Sequence, residues 1–573
     1  MKELILGNEA VARALYEAGC RVLSSYPGTP STEISEYAAK YDEIYCEWAP
    51  NEKVALEVAG GAAIAGARAF SAMKHVGLNV AADPLFTLSY TGTNAGLVIA
   101  VADDPGMHSS QNEQDSRHYA RASKTIMLEP ADSAECLAYT KLAFDLSEEF
   151  DTPVLLRLTT RVSHSRSPVE LSQRQEIDLR QYEKDPGKYV MMPAMAKRRH
   201  EIVEKRLEEQ RAWAEKCDIN TVEYNSKKIG IISSGTTYMY AKEALGDKAS
   251  YLKLGCVYPL PVDLIKSFAS QCEEVFVIEE LDDFIESHCL KHGVEVKGKA
   301  LFSFLGEYSQ SLISEKILGE KADTLKTDLE VPGRPPVLCP GCPHRALFYS
   351  LKRLKVFVSG DIGCYTLAAL APLSMMDTCI CMGASVSALH GRNKANPENA
   401  KKSVAVIGDS TFIHSGITGL IDIAYNKSDS VVIILDNSIT GMTGHQDNPT
   451  TGKTIKGQPA QTVDLEKLVK SVGIERVSVI DPNDLKNSLK VIKEELEKPG
   501  PGVIISRRPC ALLKYVKHAP PLKVDRGKCT ACRMCMRIGC PTISFKQGKA
   551  FIDATQCVGC GVCQQLCNFD AIN

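Results

Sequence analysis

No apolar run in this chain approaches the ~18 consecutive residues that a membrane-spanning helix requires, so no such helix is expected. The opening stretch MKELILGNEAVARAL lacks the layout of a signal peptide, so a cytoplasmic location is expected. Charge of one sign is lacking as well. Sixty-seven Lys and Arg stand against 70 Asp and Glu, a formal net charge of −3, and no basic run offers itself to nucleic acid. There is no short internal repeat. What is present is a 44 % apolar content over 573 residues, enough for about three to five globular domains. The 21 cysteines suit a reducing compartment that keeps thiols free.

Eight of those cysteines crowd the C-terminal tail as Cys529, Cys532, Cys535 and Cys540, then Cys557, Cys560, Cys563 and Cys567. The spacing C-x2-C-x2-C-x4-C-P followed by C-x2-C-x2-C-x3-C is that of a two-cluster bacterial ferredoxin. One such run alone also fits zinc. Two runs, separated by a β-like stretch around Ile543, Phe545, Phe551 and Ile552, favour two [4Fe-4S] clusters and an electron-carrying role. In modules of this kind the fourth Cys of each run serves the other run's cluster. The implied ligand sets are therefore Cys529, Cys532, Cys535, Cys567 and Cys557, Cys560, Cys563, Cys540. The extra residue before Cys540 should bulge the backbone, and Asn568 stands where a Pro often follows. From Asp525 onward six Lys and Arg against three Asp leave a charge of +3. That excess either offsets the clusters or offers a docking face to an acidic electron carrier.

The remainder of the chain alternates helix-like and strand-like segments. Residues 22–26, 96–102 and 153–158 read as strands, and residues 53–69 as an Ala- and Gly-rich helix, the wording of a mostly parallel α/β sheet. Residues 197–216 differ, being dense in Lys, Arg and Glu at helical i,i+4 spacing. They read as a solvated helix bridging two domains in preference to a binding arm. Strands at 229–233 and 275–279 open another α/β region. Residues 332–336, Pro-Gly-Arg-Pro-Pro, form a stiff linker before the next one.

In that last region an apolar strand runs from Val404 into Gly408-Asp409-Ser410, helix-like residues follow, and a second apolar strand from Val431 ends in Asp436-Asn437. This is a βαβ unit with a hard oxygen donor at the carboxyl end of each strand, where open parallel sheets bind ligands. Asp409 and the Asn437 amide carbonyl suit octahedral Mg2+, with diphosphate oxygens and water completing the shell. Gly408 and Gly416 allow backbone N–H groups to approach phosphates at a helix N-terminus.

This arrangement resembles the thiamin-diphosphate motif, with Ser410 in place of its last Gly and Asp436 in place of its first Asn. Leu435 to Gln446 looks like the corresponding loop of the 2-oxoacid:ferredoxin oxidoreductases, in which the backbone carbonyl two residues past the second ligand, here Ile439, also binds the metal. Four more segments resemble that family. Tyr26-Pro-Gly-Thr29-Pro-Ser31 is similar to the turn that places a Thr, here Thr29, near the substrate carboxylate. Asn51-Glu52 through Gly61 is similar to the helix start bearing the cofactor-activating Glu. Cys339-Pro-Gly-Cys342-Pro-His344-Arg345 and Ser359-Gly-Asp-Ile-Gly363-Cys364 are similar to segments that shape the cofactor pocket, with Cys342 and Cys364 as pocket thiols.

The resemblance spans nearly the whole chain. It is strongest to the large (alpha) subunit form in which pyrimidine, diphosphate and ferredoxin modules share one chain, the organisation of the indolepyruvate-oxidising members. It implies a multidomain α/β fold: a pyrimidine-binding domain over 1–180, a charged helical connection over 181–226, a transketolase-C-terminal-like domain over 227–325, a diphosphate- and Mg-binding domain over 335–512 and a small α+β ferredoxin domain with two clusters over 520–573. It implies oxidative decarboxylation of arylpyruvates (indolepyruvate, phenylpyruvate, hydroxyphenylpyruvate) to aryl-acyl-coenzyme A and CO2, with electrons leaving one at a time through the clusters to ferredoxin. The cofactors implied are thiamin diphosphate, Mg2+ and two [4Fe-4S] clusters, with coenzyme A as acyl acceptor. The partners implied are a small (beta) subunit in an α2β2 heteromer, ferredoxin, the 2-oxoacid and coenzyme A.

Glu52 is the expected activating carboxylate, ahead of Glu47 and Glu57, in a mostly apolar setting. Its plain alternative is an acid complementing a helix N-terminus. Alternative substrates are pyruvate and branched-chain 2-oxoacids. An alternative role is a non-catalytic electron-transfer subunit. Cys339 and Cys342 also admit a metal reading. His75 and His414 neighbour the proposed motifs, while Cys379 and Cys381 read as core and Asp103-Asp104 as a turn.

Overall fold

The computed structural model describes residues 2–321, 327–333 and 335–573, so Arg334 of the Pro-rich linker and residues 322–325 of the expected third region lie outside the described residues. The chain divides after Asp328 into two units. Among the described residues no helix is long and apolar enough to cross a membrane.

The first unit is built on a seven-stranded sheet in the order Cys256–Tyr258, Met127–Leu128, Val154–Thr159, Leu97–Asp103, Ala69–Lys74, Val22–Ser25, Tyr45–Trp48. All neighbours are parallel except the first pair. The central strands are buried along their whole length, as a parallel sheet covered on both faces demands. A second sheet orders Glu274–Ile278, Ile229–Ser234, Ser250–Leu254 and Thr221–Glu223, with only the last strand antiparallel.

The helix expected over 53–69 runs from Glu52 to Ile64. Asn51 starts it by accepting from the Val54 amide at 2.9 Å. Gly66 ends the turn with φ +100, a conformation that side chains resist. A Cβ there would lie 1.9 Å from the Arg180 carbonyl oxygen, which belongs to the strap crossing this edge. Gly66→Ala is therefore expected to cost about 2–3 kcal/mol from backbone strain and the displaced strap. A lowered thermal midpoint would show it, and an unchanged midpoint would contradict it.

The charged segment forms a 22-residue helix, Pro193–Ala214. It is docked on one face, with Val203, Leu207 and Ala214 buried. Two of its arginines reach the C-terminal end of helix Ala82–Thr91. Arg199 Nε donates to the Tyr90 carbonyl at 2.6 Å, and Arg206 donates to the carbonyls of Ser89 at 2.6 Å and Asp151 at 2.9 Å. Last-turn carbonyls lack intrahelical donors and carry partial negative charge, so guanidinium groups suit them.

The second unit holds a six-stranded, wholly parallel sheet in the order Thr378–Cys379, Phe357–Gly360, Ser403–Gly408, Val431–Asp436, Gly502–Arg507, Arg476–Ile480. Its tail folds back on itself, with Val524 bridged to Ile572. Within it Ile543–Lys546 and Lys549–Ile552 make a hairpin whose turn residues, Gln547 (φ 49) and Gly548 (φ 74), both have positive φ, as a type I′ turn requires.

The tail is seated on the sheet domain. Buried Arg345 donates to the carbonyls of Ile538 (3.2 Å) and Gly539 from one nitrogen and to those of Leu338 and Cys339 from another. Gln565 bonds Asn483 O at 2.7 Å and the Leu485 amide at 3.1 Å.

Candidate active site

In the first unit the expected catalytic residues sit at the carboxyl ends of the parallel strands. Glu52 opens its helix and is 5 % exposed. Gly77 brings helix His75–Val80 up against it, because a Cβ at 77 would lie 2.6 Å from Glu52 Oε1. Thr29 lies half-buried in the turn after Val22–Ser25, and its carbonyl accepts from Ser109 Oγ at 3.4 Å.

Lys74, which sequence reasoning passed over, ends the neighbouring strand and is 8 % exposed. Its Cβ packs 3.2 Å from where a Cβ of Gly28 would stand, and its ammonium donates to Ser109 O at 2.6 Å. Burial lowers its pKa, with the Asp104 carboxylate opposing. Asp104 is more than a turn residue. It accepts from Ser109 N (2.8 Å), Ser110 Oγ (2.6 Å) and Thr160 Oγ1 (2.6 Å), holding the loop beside Thr29 in place. Asp103 pairs with buried Arg157 at 2.7 Å. His75 is buried, with Nε2 3.2 Å from Asn112 O.

In the second unit Asp409 and Asn437 stand at adjacent strand ends, both buried. The Asn437 amide oxygen faces Ile439 O at 2.9 Å and Asp409 Oδ1 at 3.3 Å. Turning the amide over would place its nitrogen toward both oxygens. The unturned arrangement instead sets the Asn437 oxygen 2.9 and 3.3 Å from an oxygen of each of the other two expected ligands, close to the ~3 Å between neighbouring ligands in an octahedral shell of ~2.1 Å bonds. This donor set fits Mg2+. Burial pushes the Asp409 carboxyl up to about 7, with Asp436 adding to it.

Asp409 is also tied to the backbone. Its carboxylate accepts from Ser410 N at 2.8 Å and Ser438 N at 3.1 Å. The Gly408 amide, expected to face phosphate, donates to Tyr365 Oη at 3.0 Å, and a Cβ at 408 would meet the Tyr365 ring at 2.9 Å. That glycine makes room for the tyrosine. Asp409–Thr411 form a short helical turn that continues through a π-helical turn over Phe412–Gly416 into helix Ile417–Tyr425. His414 is buried there, with Nδ1 2.5 Å from Ser415 Oγ. Asp361 fastens the preceding strand end, accepting from the amides of Gly383 and Ser385 at 3.0 Å each.

Four thiols gather near this pocket. Cys339 and Cys342 lie in one turn. Cys364 Sγ would be 3.3 Å from a Cβ on Gly441 of the metal loop, and the Cys510 amide donates to Asn437 O at 2.9 Å. Burial pushes Cys364 up to about 11, with Cys510 and Cys339 adding to it. Burial pushes Cys342 up to about 12, and Cys364 and Cys339 again contribute. Cys339 and Cys342 were visible as a close pair. No local spacing pointed to Cys510, which the fold delivers from the far end of the domain.

In the tail, Cys529, Cys532, Cys535 and Cys567 line one cavity. Cys540, Cys557, Cys560 and Cys563 line another, and Cys342 lines that same cavity. Among the described residues the one set of three or more potential ligands whose donor atoms all lie within 4.8 Å of one another is Asp115, His118 and Asp282. A zinc ion with thiolates at ~2.3 Å would hold its sulfurs about 3.8 Å apart. The wider thiol sets fit a larger group such as a cubane cluster. Gly341, at φ +70, brings the Cys339–Cys342 turn against the tail, since a Cβ there would lie 2.3 Å from Val558 Cγ2.

The model of the thiamine pyrophosphate enzyme C-terminal TPP-binding domain matches residues 361–506. That of the pyruvate flavodoxin/ferredoxin oxidoreductase thiamine diP-binding domain matches residues 13–226. The indolepyruvate oxidoreductase subunit IorA of Archaeoglobus fulgidus is 42 % identical over an alignment covering 100 % of this chain and 97 % of that one. The chain belongs to the IorA family. The IorA subunit of Methanothermobacter thermautotrophicus is 40 % identical with the same coverages, 100 % and 97 %. The 2-oxoglutarate synthase subunit KorA of Methanothermobacter marburgensis is 24 % identical, covering 48 % of this chain and 87 % of its own. The IorA likeness thus extends through the second unit and the cysteine-rich tail, and the parallel sheets bearing Glu52 and Asp409 belong to thiamin-binding α/β domains.

Proposed function

We propose that this chain is the large subunit of an oxidoreductase that decarboxylates arylpyruvates (indolepyruvate, phenylpyruvate, hydroxyphenylpyruvate) and passes the electrons to ferredoxin, leaving CO2 and an aryl-acyl-coenzyme A. The observation that carries this reading is the unbroken succession of thiols in the second unit. It begins beside the oxygen-lined cation site at Cys364 and Cys510, passes through Cys342 into the cavity of Cys540, Cys557, Cys560 and Cys563, and ends at the cavity of Cys529, Cys532, Cys535 and Cys567. A decarboxylase that merely protonates its product has no use for such a path.

Bound thiamin diphosphate supplies the electron sink on which a 2-oxoacid can lose CO2. In this reading Asp409, Asn437 and Ile439 O hold the Mg2+ that secures the diphosphate, with Ser410 beside it. Glu52 holds or releases a proton at its carboxylate toward the pyrimidine ring. Thr29 and the Lys74 ammonium receive the substrate carboxylate, and the Asp104-anchored loop keeps both in place. The two tail sets each hold a [4Fe-4S] cluster in a small ferredoxin-like domain over 520–573. Cys339, Cys342, Cys364 and Cys510 hold a third. Coenzyme A accepts the acyl group, and a small subunit completes an α2β2 enzyme in the cytoplasm.

Three outcomes test these assignments. Anaerobically purified protein should contain roughly twelve iron atoms per chain, and Cys510→Ser roughly four fewer, where two clusters alone would give about eight. Gly341→Ala should leave iron content unchanged and weaken the magnetic interaction between neighbouring reduced clusters in electron paramagnetic resonance, because the new methyl pushes the Val558 loop away. Lys74→Met should raise KM for the 2-oxoacid about tenfold or more, the value of one lost charge-assisted hydrogen bond. For the function itself, ferredoxin reduction by indolepyruvate, phenylpyruvate and pyruvate is compared in the enzyme purified with its small subunit, with and without coenzyme A. Faster turnover of the arylpyruvates is expected. Much faster turnover of pyruvate would overturn the aryl assignment.

A further inference from the structure

Away from every residue assigned above, the first unit carries a surface cleft whose polar lining is dominated by Arg121, Arg211, His288, Lys291 and His292. No carboxylate lines it. The five groups come from three elements: helix Arg117–Ser123, helix Pro193–Ala214, and helix Phe284–Lys291 with the residue after it. So the fold, and no local charge run, assembles them. Among the described residues none of the five forms an ion pair.

Arg121, Arg211 and Lys291 are exposed where they line the cleft. Burial raises the Tyr258 pKa, and the charges of Arg211 and Arg121 oppose that rise. The rings of His288 and His292 lie 4.6 Å apart. His288 Nε2 is buried and has no hydrogen-bond partner. Burial, reinforced by His292, Lys291 and Arg211, pushes its pKa down to about 4, so it stays neutral among cations. Positive charge gathered from several elements on one concave surface attracts and orients a polyanion. Guanidinium groups match phosphate oxygens bidentately, and an ammonium adds a point charge. Tyr258 and Leu260 supply an adjoining wall of aromatic and aliphatic surface.

We propose that this cleft binds a small polyphosphate anion of the nucleotide class, its phosphates on Arg121, Arg211 and Lys291 and its base against the Tyr258 wall. Two sources share that chemistry: the phosphorylated nucleotide end of coenzyme A, and a free nucleoside triphosphate. The site is independent of the thiamin reading, because none of its residues serves that reading.

Titration calorimetry on the full chain with its small subunit decides the matter, using coenzyme A, ATP and pantetheine as probes. Coenzyme A should bind saturably to a site that Arg211→Gln/Lys291→Gln weakens at least about tenfold, with pantetheine, which lacks phosphate, silent at that site. Equal response of ATP to the substitutions identifies free nucleotide as a ligand, and response of coenzyme A alone identifies the acyl carrier. Arg121→Gln, on a different helix, provides an independent variant should the double substitution fail to fold. The proposal is overturned if the folded variants bind both phosphorylated probes as the unsubstituted enzyme does, or if neither probe binds.

Discussion

Glu52→Gln is expected to lower the rate of 2-oxoacid-dependent ferredoxin reduction by about 10²–10⁴-fold, the range lost when a positioned proton-transfer group is removed. The substitution keeps the shape of the side chain. The helix start survives it, since the Asn51 cap on Val54 N does not involve Glu52. If Glu52 served only to complement the helix N-terminus, its loss would cost about 0.3–1 kcal/mol of stability and leave turnover intact. The two roles therefore separate cleanly. Activity falls steeply while the thermal midpoint and the content of bound thiamin diphosphate hold nearly constant. Retention of more than a tenth of the activity would remove Glu52 from the reaction.

Asp409→Ala is expected to weaken Mg2+-dependent thiamin diphosphate binding by at least about 100-fold. Loss of a supporting contact to a ligating group already costs about 10–100-fold, and this residue is the ligand itself. The unsubstituted protein, saturated at a hundred times its dissociation constant, should gain about 2.7 kcal/mol of stability from the cofactor and metal together. The variant should gain almost none. Thermal melts with and without Mg2+ and thiamin diphosphate give that comparison directly, and the iron content serves as a control because the thiol sets do not depend on Asp409. An undiminished cofactor-induced rise in the melting temperature of the variant would place the metal elsewhere.

The same residues show how far the primary structure speaks. Glu52, Asp409 and the eight tail cysteines could be singled out as candidates because each sits in a short, regular setting: a capped helix start, a strand end between apolar runs, a fixed cysteine spacing. Periodicity and spacing are local properties, and local chemistry is written in consecutive residues. Lys74 was not legible. A lysine ending an apolar strand is common, and its significance comes from Gly28 and Ser109, neighbours supplied by other strands and loops. The charged helix was half legible. Its i,i+4 pattern announced a helix, but the use of Arg199 and Arg206 to satisfy the end of another helix depends on docking.

Cys510 and the cationic cleft mark the boundary most sharply. Residue order was sufficient to specify α/β modules and to single out the proposed oxygen donors and the two cysteine runs, because hydrogen-bonded strand ends and tight turns impose their own geometry over a few residues. The company each residue keeps across the fold was settled only when sheets and helices packed. Excluded volume and the desolvation of charge act between atoms close in space, whatever their separation along the chain.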